Sequence, residues 1–229
     1  MVNKMKNSPK LEWITSKTPQ TFPQALSFME QRVDDIIQGH APETIWLLEH
    51  PPLYTAGTSA KQQDLLTPNR FPVFATGRGG EYTYHGPGQR IVYVMLDLNK
   101  RKKDVRWFVS ELETWVIDAC ASLGVSAYRR EGRIGLWVNE GEHGLKLESK
   151  IAAIGIRLRR WVSFHGIAIN IAPNLEHFSG IVPCGINNYG VTSFEDLNIP
   201  IKLAEIDAAL KQQFTKRFLP QKTTKIEQA

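Results

Sequence analysis

The sequence predicts an α+β fold, with a mixed or antiparallel sheet flanked by helices. Three observations predict it. Apolar residues recur at helical spacing near residues 23–38, 105–123 and 203–217. Short apolar runs of strand length cluster between these stretches. Helices and strands do not alternate in the regular order that a parallel βαβ sheet requires.

Taken in order, Thr21-Phe22-Pro23-Gln24 opens the first helix. Thr21 is its expected cap, Gln24 completes a capping box, and Pro23 suits the first turn. Leu26, Met29, Val33 and Ile36-Ile37 form its stripe, and Gly39 closes it. Thr44 to Glu49 reads as a buried strand ended by Pro51-Pro52, and the polar stretch 54–70 reads as a loop. Phe71 to Thr76 and Arg90 to Leu98 read as strands. Both faces of the second are apolar, as in a central strand. Asp104 caps a long helix carrying Val105, Phe108, Leu112, Trp115-Val116, Ala119 and Leu123, with Gly124 at its end. Four strands are expected at Val125 to Arg129, Ile134 to Val138, Ile151 to Leu158 and Val162 to Ile171, with a charged loop from Asn139 to Glu148. The last helix spans Leu203 to Arg217. With no repeat and no linker, residues 21–218 form one expected domain, between a loose extension (1–20) and a tail (219–229).

Composition narrows the function classes. Hydrophobic residues make up 42% of the chain, enough for a sizeable core. No apolar run approaches the roughly 20 residues of a membrane span, and no apolar stretch follows the N-terminal lysines as a signal peptide would require. Two cysteines, Cys120 and Cys184, cannot build a disulfide framework, so a cytoplasmic chain with reduced thiols is expected. Histidines and cysteines lack zinc-site spacing, so no metal is expected. The net charge of +5 permits an acidic partner. Lys100-Arg101-Lys102-Lys103 is either a solvated turn or its docking site. A nucleic-acid-binding module accounts for the charge, but for neither Cys184 nor the glycine-rich segment described next.

That segment, Arg78-Gly79-Gly80-Glu81-Tyr82-Thr83-Tyr84-His85-Gly86-Pro87-Gly88-Gln89, packs four glycines, a histidine and an arginine between two apolar runs. Glycine concentrates where backbone bends sharply or meets something closely, so the segment reads as the backbone wall of a binding site. It lacks the pattern of a phosphate-binding P-loop. Cys120 lies on a helical apolar stripe and reads as core. Cys184, between Pro183 and Gly185, is either a reactive thiol or a turn residue. Lys150 precedes an apolar strand and is either solvated or turned inward, where its ammonium would favour a nearby thiolate. Gly155 marks a bulge or a close approach by a ligand. His165 reads as a hydrogen-bonded core histidine, and His85, in the glycine-rich segment, has the stronger case for chemistry.

Four blocks together resemble the octanoyltransferases of lipoate biosynthesis: RGGEYTYHGPGQ, SKIAAIG (149–155), FHGIAIN (164–170) and IVPCGI (181–186). They fall in the family's order, and the resemblance covers residues 20 to 215. It implies a fold like the catalytic domains of biotin and lipoate protein ligases, and no cofactor. It implies octanoyl-acyl-carrier protein as donor. The acceptors would be lipoyl domains of 2-oxoacid dehydrogenase complexes and the glycine-cleavage H protein. Cys184 would carry the acyl thioester, and Lys150 would lower its pKa. Arg78, Gly79, Gly80, Glu81, Tyr82, Thr83, Tyr84 and His85 would line the acyl substrate, together with Ala153, Ile154, Gly155, Gly166, Ile167 and Ala168. His85 then becomes a lining residue rather than a catalyst. The loop 139–148 is longer and more charged than the family's turn. The nearest alternative is an ATP-dependent lipoate or biotin ligase, in which Cys184 would be idle. A monomer is expected.

Overall fold

A computed structural model describes residues 11–139, 148–182 and 190–219. Eleven strands and three α-helices run through them: β1 (Glu12–Thr15), α1 (Phe22–Gln38), β2 (Thr44–Leu48), β3 (Leu53–Ala56), β4 (Val73–Ala75), β5 (Tyr82–His85), β6 (Gln89–Met95), α2 (Val105–Ala121), β7 (Tyr128–Arg130), β8 (Arg133–Asn139), β9 (Glu148–Arg159), β10 (Val162–Asn170), β11 (Gly190–Val191) and α3 (Leu203–Phe218). The main sheet orders its strands β1-β2-β6-β10-β9-β8-β7, with β11 parallel to the start of β9. Its central pairs are antiparallel, while β1 joins β2 in parallel. A second sheet, β4-β3-β5, stands beside it.

The two faces of the main sheet bury different partners. Val92, Val94, Ile167 and Ile169 pack with Leu112, Trp115, Leu210 and Phe214 of α2 and α3. Ile91, Tyr93, Met95 and Ala168 pack with Met29, Val33 and Ile36 of α1. This two-sided burial is what the doubly apolar pattern of 90–98 requires. Tyr54, Tyr84, Phe178 and Ile181 form a smaller core under the second sheet.

Several expectations need correction. The stretch 1–20 contains β1, and the Gln20 amide donates to the Glu49 carbonyl at 2.8 Å, so residues 11–20 are tied to the domain. The stretch 54–70 begins inside β3, and the glycine-rich segment contains β5, paired antiparallel with β3. These strands are each four residues long and take their partners from distant sequence, so no periodicity announces them. The first helix has no capping box: the Thr21 hydroxyl donates to the Gln24 side-chain oxygen instead, at 2.6 Å. The caps at Gly39 and Asp104 form as expected. Among the described residues, no helix is long and apolar enough to cross a membrane.

Candidate active site

One cavity of about 450 Å³ opens between the two sheets. Of the residues singled out in the sequence, Arg78 through Thr83, His85, Lys150, Ala153 to Gly155 and Gly166 to Ala168 all lie on its wall. Three stretches distant in sequence therefore meet in one place. The sheet register does this: Ala153, Ile154 and Gly155 of β9 pair with Ala168, Ile167 and Gly166 of β10.

Tyr84 is not on that wall. Alternation along β5 turns it away from Thr83 and His85 into the small core, which Tyr82 shares from the cavity edge, and its hydroxyl meets His177 Nδ1 at 2.8 Å. Burial pushes its pKa up to about 12. Cys184 lies outside the described residues, as does most of the charged loop expected at 139–148. Cys120 is buried in the core beneath α2, and burial pushes its thiol up to about 12, so it stays protonated and inert.

Lys150 is turned inward, with only 7% of its surface exposed. Its ammonium donates to the Ile134 carbonyl at 3.2 Å and sits 4.8 Å from the centre of the Trp137 ring. A cation over an aromatic face is stabilised electrostatically, which offsets part of its burial. Gly135 makes the passage for this side chain. With φ at +115°, a Cβ there would stand 2.7 Å from the Ala152 carbonyl oxygen and 3.3 Å from Lys150 Cε. The backbone of Lys150 pairs with Val191, and its carbonyl accepts from the Thr192 amide at 3.1 Å.

The glycine-rich wall is closed by its own arginine. Arg78 donates to the Thr55 carbonyl (2.9 Å), the Thr55 hydroxyl (2.7 Å) and the Glu81 carbonyl (3.0 Å). The Gly79 amide donates to the Ile156 carbonyl at 3.1 Å, which brings this wall against β9. Gly155 has its close approach there, but from the chain itself: a Cβ would stand 2.9 Å from Arg78 Cδ. The β9–β10 register runs unbroken through Gly155, so there is no bulge at that position.

Three buried imidazoles, those of His50, His85 and His165, stand around Tyr93 and the inner wall. Burial is the main cause of their lowered pKa values, about 4, 3 and 4 respectively, so all are neutral at pH 7. His50 donates from Nδ1 to the Gln20 carbonyl and accepts the Tyr93 hydroxyl at 2.7 Å. His165 departs from its expected role as a hydrogen-bonded core residue, because its Nε2 is buried without a hydrogen-bond partner among the described residues. It also has φ at +60°, a costly conformation for a residue with a Cβ. Alternation with Ile167 and Ile169 would send it toward α2. The positive φ turns it instead onto Phe164 and toward Tyr93. Opposite this kink the Ser163 hydroxyl donates to the Val94 carbonyl at 2.8 Å and accepts from the Leu96 amide at 3.1 Å.

Gln89 and Asn170, which end two of the sequence blocks, also line the cavity, and sequence reading missed Thr55, Tyr93, Val109 and Trp137 there. Only Trp137 had a signal, the glycine at position 135 inside an apolar strand. The basic run at 100–103 is largely neutralised. Arg101 pairs with Glu43 at 2.5 Å, Lys102 with Asp104 at 2.9 Å and Lys100 with Asp97 at 3.6 Å.

The lipoyl protein ligase A/B catalytic domain model matches residues 22–215. A Jannaschia sp. octanoyltransferase is 59% identical over 213 residues, covering 91% of this chain and 99% of its own. A Brucella melitensis octanoyltransferase is 56% identical over 222 residues, covering 95% of this chain and 84% of its own. The chain belongs to the octanoyltransferase family. Membership makes it an acyltransferase rather than an ATP-dependent ligase, although the fold is shared with ligases. A bi-partite lipoate protein ligase from Thermoplasma acidophilum superposes with a TM-score of 0.66 at 15% identity, over 91% of this chain and 84% of its own. A lipoate-protein ligase A bound with ATP gives 0.62 at 14% identity, over 92% and 85%.

Proposed function

We propose that the chain moves an octanoyl group from octanoyl-acyl-carrier protein to a lysine of lipoyl domains, through a thioester on Cys184. The acceptors are the lipoyl domains of 2-oxoacid dehydrogenase complexes and the glycine-cleavage H protein, and the enzyme works as a cytoplasmic monomer. The observation that carries the reading is the inward Lys150, a buried ammonium on the wall of an otherwise largely apolar cavity. That ammonium favours the thiolate over the thiol in a nucleophile brought beside it.

The Cys184 thiolate attacks the thioester carbonyl, and the carrier's thiolate leaves. The acceptor lysine amine then attacks the new thioester, the Cys184 thiolate leaves, and the amine proton passes to a base in the site. The first exchange is close to balanced, and amide formation runs downhill, so no ATP is consumed. Ala153, Ile154, Ile167 and Ala168 offer an apolar slot to the eight-carbon chain. The glycine-rich wall, Arg78 to His85, closes the slot from the other sheet. Because Arg78 is held by oxygens of its own chain, from Thr55, Gly79 and Glu81, it shapes this wall. Carrier docking draws little on 100–103, where three of the four cations already face a carboxylate.

Incubation with octanoyl-carrier protein and an intact-mass measurement test the reading. The wild type gains one octanoyl group, Cys184→Ala gains none, and Lys150→Ala raises the thiol pKa in an iodoacetamide titration. Wild-type transfer rates in Cys184→Ala, or an unchanged titration in Lys150→Ala, would overturn the corresponding role.

A further inference from the structure

A chain of buried hydrogen bonds crosses the cavity wall from the glycine-rich segment to the strand of Lys150. Arg78 donates to the Thr55 hydroxyl, which lies 3.3 Å from His85 Nε2. His85 Nδ1 donates to Gln89 Oε1 at 2.7 Å. Gln89 Nε2 donates to the Tyr84 carbonyl at 3.2 Å and to Asn170 Oδ1 at 2.9 Å. Asn170 Nδ2 donates to the Thr192 carbonyl at 2.9 Å. The Thr192 amide in turn donates to the Lys150 carbonyl.

Each amide has one orientation that serves these partners. Rotating Gln89 would face its oxygen against the Tyr84 carbonyl and Asn170 Oδ1. Rotating Asn170 would do the same at the Thr192 carbonyl. Both residues are almost fully buried, at 1% and 4% exposed, and they are direct cross-strand partners in β6 and β10. Asn170 grips the same stretch twice, because its backbone carbonyl also accepts the Phe194 amide at 3.1 Å. Polar groups this deep hold one geometry when satisfied and are costly to orphan.

We propose that Asn170, oriented by Gln89, is a positioning residue: through the Thr192 carbonyl it fixes the pairing of Lys150 with Val191, and so sets the reactive end of the cavity against its acyl-binding wall. Neither amide exchanges atoms with substrate in this role. The inference rests on the acyl-enzyme reading for which group Lys150 serves, but not for the pairing itself.

The test compares wild type, Asn170→Ala and Gln89→Glu in octanoyl transfer and in hydrogen exchange. Gln89→Glu keeps the shape but loses both donated bonds, so it carries the test if Asn170→Ala does not fold. Leu210→Ala, in the core under α3, supplies a destabilised control for comparison at equal folded fraction. Both amide variants are expected to speed exchange in peptides covering 190–194. They should lower kcat by about 10–100-fold, with KM for the octanoyl donor changed by less than about threefold, since a small misplacement costs rate rather than binding. The acid limb of their pH–rate profiles should move to higher pH, and that of Leu210→Ala should not. Unchanged exchange at 190–194, an equal kcat loss in Leu210→Ala, or an unmoved acid limb would overturn the proposal. Failure of the acyl-enzyme reading shows separately, as a wild type that gains no octanoyl mass while Cys184→Ala stays active. The exchange and kcat results still decide the role of Asn170 in that event.

Discussion

Arg78 shows how far a residue's place in a motif can differ from its job. In sequence it is a cation beside a substrate, but the fold directs its guanidinium to the Thr55 and Glu81 carbonyls and the Thr55 hydroxyl. Lysine cannot reproduce that fork. Arg78→Lys is therefore expected to lose about 2–3 kcal/mol of stability by leaving buried carbonyls short of donors. KM for the octanoyl donor should rise as the wall loosens. Urea unfolding and steady-state kinetics check both, and an unaffected midpoint would return Arg78 to a direct substrate role. Lys150 was legible in type and position. Its burial was not, because nothing local says which way the side chain at the start of a strand will turn.

The close fit between elements rests on a few positions without a Cβ. Gly166 of β10 lies so near β6 that a methyl group would overlap the Val92 carbonyl oxygen. That atom is backbone in a central strand and cannot swing away. Gly166→Ala is expected to cost about 3 kcal/mol or more, in the range of overpacked cores and broken ladders, and to disturb the neighbouring His165. A denaturation midpoint close to wild type would show that β6 and β10 can part at little cost. The long, doubly apolar β6 and β10 were readable from their composition, and so were the helices from their stripes. Strands β1, β3 and β5 were not. Each is four residues long, and each is defined by pairing with a segment remote in sequence.

Across the whole molecule, burial of three neutral imidazoles couples stability to pH. His50, His85 and His165 take a proton near pH 6.5 when unfolded but only near 4, 3 and 4 in the fold. Between about pH 6.5 and 4 the unfolded chain binds more protons, so stability falls as pH falls through this window. The slope reaches about 1.4 kcal/mol per pH unit for each histidine. Above pH 6.5 their contribution is complete. Urea midpoints from pH 7 to 4.5 measure the slope, and His165→Gln should flatten it. A flat wild-type profile would show that these rings are not held neutral.

By itself, the sequence determined the helices, the long central strands, and the glycine, lysine and cysteine blocks that carry the family resemblance. Those features depend on local periodicity and on residue types whose chemistry is their own. Only the tertiary structure decided that Arg78 braces its own wall, that Tyr84 faces away from the cavity, and that His165 is wrenched toward Tyr93. It alone joined Gln89 and Asn170 into the link between the two ends of the site. Direction and partnership are set by register between strands distant in sequence, and burial then makes each resulting hydrogen bond count.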